Sequence, residues 1–238
     1  LVGSEMCIRD RNGTVYTDCT GMGEGNVTTA KDTALLCSEL AKYKNLTPYL
    51  TCWLDTVRDG KAELVNLNRL VRTYKGVTGM KAWGSEKAGS CIAATAEKGD
   101  MSVCVVLNGC DSQEDMNAEA KKLLNLAFDT YEIYTPELPE DMVKETVVCG
   151  GEELSVKLAP EGLYPIVIPR GTYRMVECDF TAEEKLDAPV KNGETAGEIR
   201  YTMGGEVILE GKIVACKEVK KMNFICGIKK LVYNLLSM

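Results

Sequence analysis

Between Pro136 and about Lys217 the sequence is cut into short runs of β-type residues by Gly150-Gly151, Pro160-Glu161-Gly162, Pro169-Arg170-Gly171, Lys191-Asn192-Gly193 and Gly204-Gly205. Glycine admits positive φ and proline fixes φ and removes a donor, so each of these signals turns the chain. Short β-type runs set off by turn residues in this way read as a small all-β domain. The first half obeys a different period. Ala30, Ala34, Leu35, Cys37 and Leu40 recur at helical spacing, with Thr29 and Asp32 approximating a capping box. The stretch SCIAATAEKGDMSVCVVLNG reads as two strands around Lys98-Gly99-Asp100. Asp111 opens an amphipathic helix to about Tyr131, with Met116, Ala120, Leu123, Leu124 and Ala127 on one stripe. The expected fold class is α+β.

Composition removes several chemistries. The 238 residues contain no histidine, which excludes Ser-His-Asp and Cys-His catalysis, HExxH zinc sites and Cys/His fingers. Any general base must then be Lys, a carboxylate, Tyr or a thiol. A net charge of -7 argues against nucleic acid as the main partner, because phosphates demand a basic surface. No apolar run approaches the ~20 residues of a transmembrane helix. The eleven cysteines include no CxxC pair, and their compartment stays open: a reducing cytosol suits unpaired thiols, and so does export by an anaerobe. The glycine-rich TGMGEGN lacks phosphate-loop spacing and reads as a turn. Sequons at Asn12, Asn26 and Asn45 are weak signals, and the carboxylates, which form no convergent pair, read as solvated faces.

The two ends stand apart. In the first eleven residues GSEMCIRDR resembles the translation of a sequencing adapter, so residues 1–11 are set aside as non-native and the native gene is expected to begin upstream. In residues 220–238, Phe224, Ile225, Ile228, Leu231, Val232, Leu235 and Leu236 follow a helical period beside Lys220, Lys221, Lys229 and Lys230. Such a basic amphipathic helix suits an anionic membrane surface; a terminal helix docked on the preceding domain is the other reading.

Gly76 to Ala96, GVTGMKAWGSEKAGSCIAATA, resembles the third active-site motif region of serine-type D-alanyl-D-alanine carboxypeptidases, the low-molecular-weight penicillin-binding proteins of peptidase family S11. Upstream, DCTGMGEGNVTTAKDTALL and LVNLNRLVRTYKGVTG are similar to that family's TGL…YTTAxDMA and Leu-x-Asn-x-Asn-Arg-Leu segments. Downstream, AKKLLNLAF, VIPRGTYRMVECDF, LDAPVKNGETAGEIRYTMGGEVI and IVACKEV are similar to its closing catalytic helix and carboxy-terminal β-sandwich. The resemblance spans about residues 12 to 238. It implies part of a β-lactamase/transpeptidase-like catalytic domain over 12–136, a β-sandwich over 137–219 and a membrane-anchor helix over 220–238. It also implies peptidoglycan stem peptides as substrate, β-lactams as inhibitors, no cofactor or metal, and a place at the outer face of the cytoplasmic membrane.

In that family a serine attacks the carbonyl between two D-alanines, a lysine serves as base, and water resolves the acyl-enzyme; the signatures are SxxK, S-x-N and K-T-G. A lysine base agrees with the missing imidazole. No serine here begins SxxK or S-x-N, so nucleophile and base are expected upstream of the chain, which reads as an N-terminally truncated fragment, inactive alone. The resemblance places Lys81 on the K-T-G lysine, where its ammonium would meet the substrate carboxylate; an ordinary edge-strand lysine is the plainer reading. Ala82 stands for the threonine and Trp83 for the glycine. A lost hydroxyl bond to a carboxylate is worth about 1.5–3 kcal/mol, and an indole in place of glycine obstructs approach to the strand. Ser85 offers a nearby hydroxyl at another spacing, and Lys87-Ala88-Gly89 coincides with the family's own downstream step. A non-catalytic envelope paralogue with a decayed motif is the alternative.

Overall fold

The structure, a computed structural model, describes residues 13–18, 25–140, 142, 144–224 and 228. The adapter-like segment, Gly21 and Gly23 of the glycine-rich turn, and Ile225, Lys229, Lys230, Leu231, Val232, Leu235 and Leu236 lie outside them. The fold mixes helices and sheets in two compact units, residues 1–131 and 132–238.

In the first unit α1 (Ala30–Leu40) begins at Thr29, whose side chain accepts the Asp32 N–H at 3.0 Å. Only that half of the expected box forms. The Asp32 carboxylate instead accepts Gly13 N–H at 3.2 Å and Thr14 Oγ1–H at 2.7 Å, and it is buried rather than solvated. These bonds satisfy a charge withdrawn from water and tie the Val15–Val27 bridge to the helix. A short α2 (Thr47–Leu50) follows, then the hairpin β1 (Leu54–Val57) and β2 (Ala62–Val65), and α3 (Leu70–Thr73).

The unit's main sheet is β3 (Val77–Ser85), β4 (Gly89–Lys98) and β5 (Met101–Cys110), antiparallel in the order β3-β4-β5. The expected turn at Lys98-Gly99-Asp100 pairs Lys98 with Met101, and Gly99 takes φ 61°, which a side chain would resist. Register places Met80, Ala82, Ile92, Ala94, Ala96, Val103 and Val105 toward one face, where α4 (Gln113–Thr130) packs. Ser112 caps α4 by accepting the Asp115 N–H at 3.0 Å. The buried stripe of α4 is Met116, Ala120, Leu124 and Phe128. This corrects the sequence reading: Leu123 is 38% exposed and Ala127 is only half-buried, because the packed stripe continues along i+4 steps to Phe128.

The second unit starts at β6 (Tyr131–Tyr134), which pairs with β9 (Ile166–Pro169); this pairing draws the chain ahead of Pro136 into the β-rich unit. Its remaining strands are β7 (Glu145–Cys149), β8 (Ser155–Glu161), β10 (Val176–Ala182), β11 (Lys185–Asp187), β12 (Thr195–Met203) and β13 (Glu206–Ala215). They form one six-stranded sheet, β10-β12-β13-β8-β7-β11, rather than two separate sheets, because β8 pairs with β13 and with β7. Val148 and Leu186 from one end share a core with Ile199, Tyr201 and Ile213 from the other, so the sheet curls around a single interior. Lys220 and Lys221 do not begin the terminal helix. Glu152 N–H donates to Lys220 O and Met222 N–H to Gly150 O, each at 2.8 Å, which holds them against the 150–152 turn. Phe224 and Ile228 are helical and exposed. Among the described residues no helix is long and apolar enough to cross a membrane.

Candidate active site

The motif residues lie on β3, the terminal strand of its sheet, and the approach to it is fixed by two asparagines. Asn66 donates from Nδ2 to Leu50 O at 3.2 Å and Cys52 O at 3.0 Å, while its Oδ1 accepts the Asn68 N–H at 2.9 Å. Asn68 is fully buried; its Oδ1 accepts the Leu70 N–H at 3.1 Å and its Nδ2 donates to Gly79 O at 3.3 Å. Three chain segments are thereby pinned where β3 begins. Gly79 takes φ 155° there, and a Cβ would crowd Leu50 Cβ and Cδ1 at 3.2 Å. The Gly79-Met80 peptide is cis, and Thr78 Oγ1 donates to Thr95 Oγ1 at 2.9 Å beside it. Leu-x-Asn-x-Asn was visible in the sequence as a resemblance only, since its bonding partners are backbone N–H and C=O groups that leave no side-chain signal.

Past Gly79 the strand alternates. Lys81 stands opposite Ala93 and is exposed; Ala82 stands opposite Ile92 and is 3% exposed; Trp83 stands opposite Cys91 and is 36% exposed. Lys81 and Trp83 therefore share the outer side of the strand, beside small residues of β4 that leave ammonium and indole clear. Ala82 belongs to the core with Met80. Lys81 forms no ion pair among the described residues, so its charge is available to an anion.

Ser85, the other hydroxyl considered, is turned away: its Oγ accepts the Ala88 N–H at 3.1 Å and closes the β3–β4 turn, in which Lys87-Ala88-Gly89 also lies. The face that carries Lys81 continues through Thr95 to Cys104 of β5, whose thiol meets Cys37 of α1. The hydrogen bond with Cys104 and burial hold Cys37 well above the ordinary thiol range, so it stays a neutral core thiol and no nucleophile.

Comparison with known proteins gives matches to both units. Residues 10–111 match the family model for D-alanyl-D-alanine carboxypeptidase, and residues 128–221 match that for the penicillin-binding protein 5 C-terminal domain. D-alanyl-D-alanine carboxypeptidase DacF of Bacillus subtilis is 30% identical over 222 residues, which are 91% of this chain and 57% of that protein. D-alanyl-D-alanine carboxypeptidase DacC of Escherichia coli is 29% identical over 161 residues, 67% of this chain and 40% of that one. The chain thus spans roughly half the length of these relatives. The crystal structure of penicillin binding protein 5 from Haemophilus influenzae is similar in fold, with a TM-score of 0.72 at 24% identity over 87% of this chain and 61% of that one. With a D-alanyl-D-alanine carboxypeptidase match over residues 10–111 and a penicillin-binding protein 5 C-terminal match over residues 128–221, the chain is similar along most of its length to the serine D-alanyl-D-alanine carboxypeptidases of the S11 peptidase family.

Proposed function

We propose that this chain supplies the β3 side of the substrate site in a peptidoglycan D-alanyl-D-alanine carboxypeptidase, a penicillin-binding protein that removes the terminal D-Ala of stem peptides at the outer face of the cytoplasmic membrane. The observation that carries the reading is Lys81, an exposed ammonium with no ion pair among the described residues, on the outer side of a terminal strand; the sequence resemblance aligns it with the K-T-G lysine. Its task is to receive the substrate's terminal carboxylate in a charge-assisted bond; β-lactams would present their carboxylate to the same group. The serine nucleophile and lysine base of the chemistry have no SxxK or S-x-N counterpart in the 238 residues. The 238-residue polypeptide is therefore inactive alone.

Purified 1–238 is expected to release no D-alanine from a D-Ala-D-Ala peptide, and measurable turnover would overturn that assignment of nucleophile and base. The wider reading is tested in the gene: DNA on the 5′ side of the Asn12 codon should encode SxxK and S-x-N, and the longer product should label covalently with a fluorescent penicillin. Failure of either result favours the second reading, a non-catalytic paralogue of the cell envelope, which Ala82 and Trp83 support by replacing a hydroxyl and a glycine. Residues 220–238 would hold either protein to the membrane through Phe224, Ile228 and the rest of the apolar stripe. Co-sedimentation with anionic liposomes, abolished by deletion of 222–238, is the expected outcome; sedimentation unchanged by the deletion refutes the anchor.

A further inference from the structure

On the first unit, away from the β3 motif, two hollows adjoin at Thr73. One is walled by Trp53, Val65 and Leu67 and carries Arg69 and Arg72; the other carries Lys121. Gln113, Asn117 and Lys121 follow one another at i, i+4 and i+8 along α4, so the two hollows form one trough between α3 and α4. Among the described residues no carboxylate lines it. Lys122, also on its rim, is taken up by Glu119 at 2.6 Å, but Arg69, Arg72 and Lys121 form no ion pair among the described residues. On a chain of net charge -7, a trough with three unpaired cations and no acid is a local inversion of sign. A concave surface of one sign focuses its field and concentrates the opposite charge.

We infer that this trough binds a polyol-phosphate chain, a flexible polymer of phosphodiesters joined by short polyols. A single flexible strand can follow a short trough, whereas a rigid duplex would be pressed against the acidic remainder of the molecule. Nucleobases are disfavoured by the site itself. The Arg72 guanidinium lies 5.7 Å from the centroid of the half-buried Trp53 ring, so the indole orients a cation and offers no open platform for stacking. Val65 and Leu67, both exposed, leave an apolar wall for the polymer's carbon segments. Each phosphate bound by a cation releases condensed counterions, which makes the affinity depend on salt. Asn66, which also steadies the approach to β3, lines the trough, but the trough's cations lie on α3, the residue preceding it and α4, so the inference does not depend on the carboxypeptidase reading.

The test is titration of the 238-residue protein with poly(glycerol phosphate), followed by calorimetry and by fluorescence in a Trp83→Phe protein, where Trp53 is the sole remaining indole. Saturable binding is expected, with a log–log salt slope of roughly -2 for three phosphate contacts on a single-stranded polyanion. Arg72→Gln and Lys121→Gln should each weaken binding roughly threefold and flatten the slope by about 0.7. Lys185→Gln on β11 should change neither. Absence of binding, or binding that the Arg69→Gln, Arg72→Gln, Lys121→Gln triple variant retains in full, would falsify the site. Equal or tighter binding of poly(A) overturns the polyol assignment.

Discussion

Asn68 spends both ends of its amide inside the protein, one on the Leu70 N–H and the other on Gly79 O. Removing it leaves a donor and an acceptor unpaired in the interior. Asn68→Ala is accordingly expected to lower the stability of the first unit by about 2–4 kcal/mol in chemical denaturation. Tyr201 makes the equivalent commitment in the second unit: it is fully buried and donates its hydroxyl to Glu137 O at 2.8 Å. Burial first, then the hydrogen bond and charge of Cys178 and the charge of Tyr134, push its phenol well above the ordinary tyrosine range. A raised pKa means that folding favours the protonated form. The stabilisation is complete below the unfolded value near about 10 and is lost as pH rises above it. The second unit should therefore weaken progressively as pH rises above about 10, and Tyr201→Phe should remove part of that loss, as read from denaturation midpoints. Neither residue announces its role in the sequence. Asn68, like the buried Asp32, is defined by partners that other segments bring to it.

Elements whose period repeats were legible, because repetition survives an error at any one position. The β4–β5 hairpin lies about Gly99 as its alternation and turn chemistry require, and α4 occupies the expected stretch. What periodicity left undecided was the rotation of α4 about its axis. Leu123 and Leu124 are adjacent leucines; the structure buries Leu124 completely and leaves Leu123 at the margin. Leu124→Ala should cost about 2–5 kcal/mol, whereas Leu123→Ala should stay within roughly 1 kcal/mol; thermal or denaturant unfolding distinguishes them. The β1–β2 hairpin escaped notice for the opposite reason. Leu54, Leu64 and Val65 are exposed on it, so its strands carry no inside–outside alternation, and its turn takes positive φ at Arg58 and Asp59 as well as at Gly60.

At the scale of the whole molecule, sequence punctuation and packing divide the chain by different means. The prolines at 136 and 139 mark a change of composition, while Tyr131–Tyr134 pairs with Ile166–Pro169 and so joins the second unit earlier. The curl of the six-stranded sheet could not be read beforehand, since alternation tells which side of a strand is buried but not whether both ends of a sheet face one interior. The terminal position of β3 bears on how molecules meet each other. An end strand is an open row of amide donors and acceptors, and in a concentrated solution the chain most able to complete it is another copy of itself. In such an encounter Lys81 would be brought near its own twin, two ammonium groups with no acid between them, and like charges on facing strands repel. Lys81→Leu is expected to shift the sedimentation profile toward larger assemblies while leaving the fold intact; an unchanged profile would argue that some other feature guards the strand. The lysine proposed to greet a substrate would then also be what keeps the protein from becoming its own neighbour.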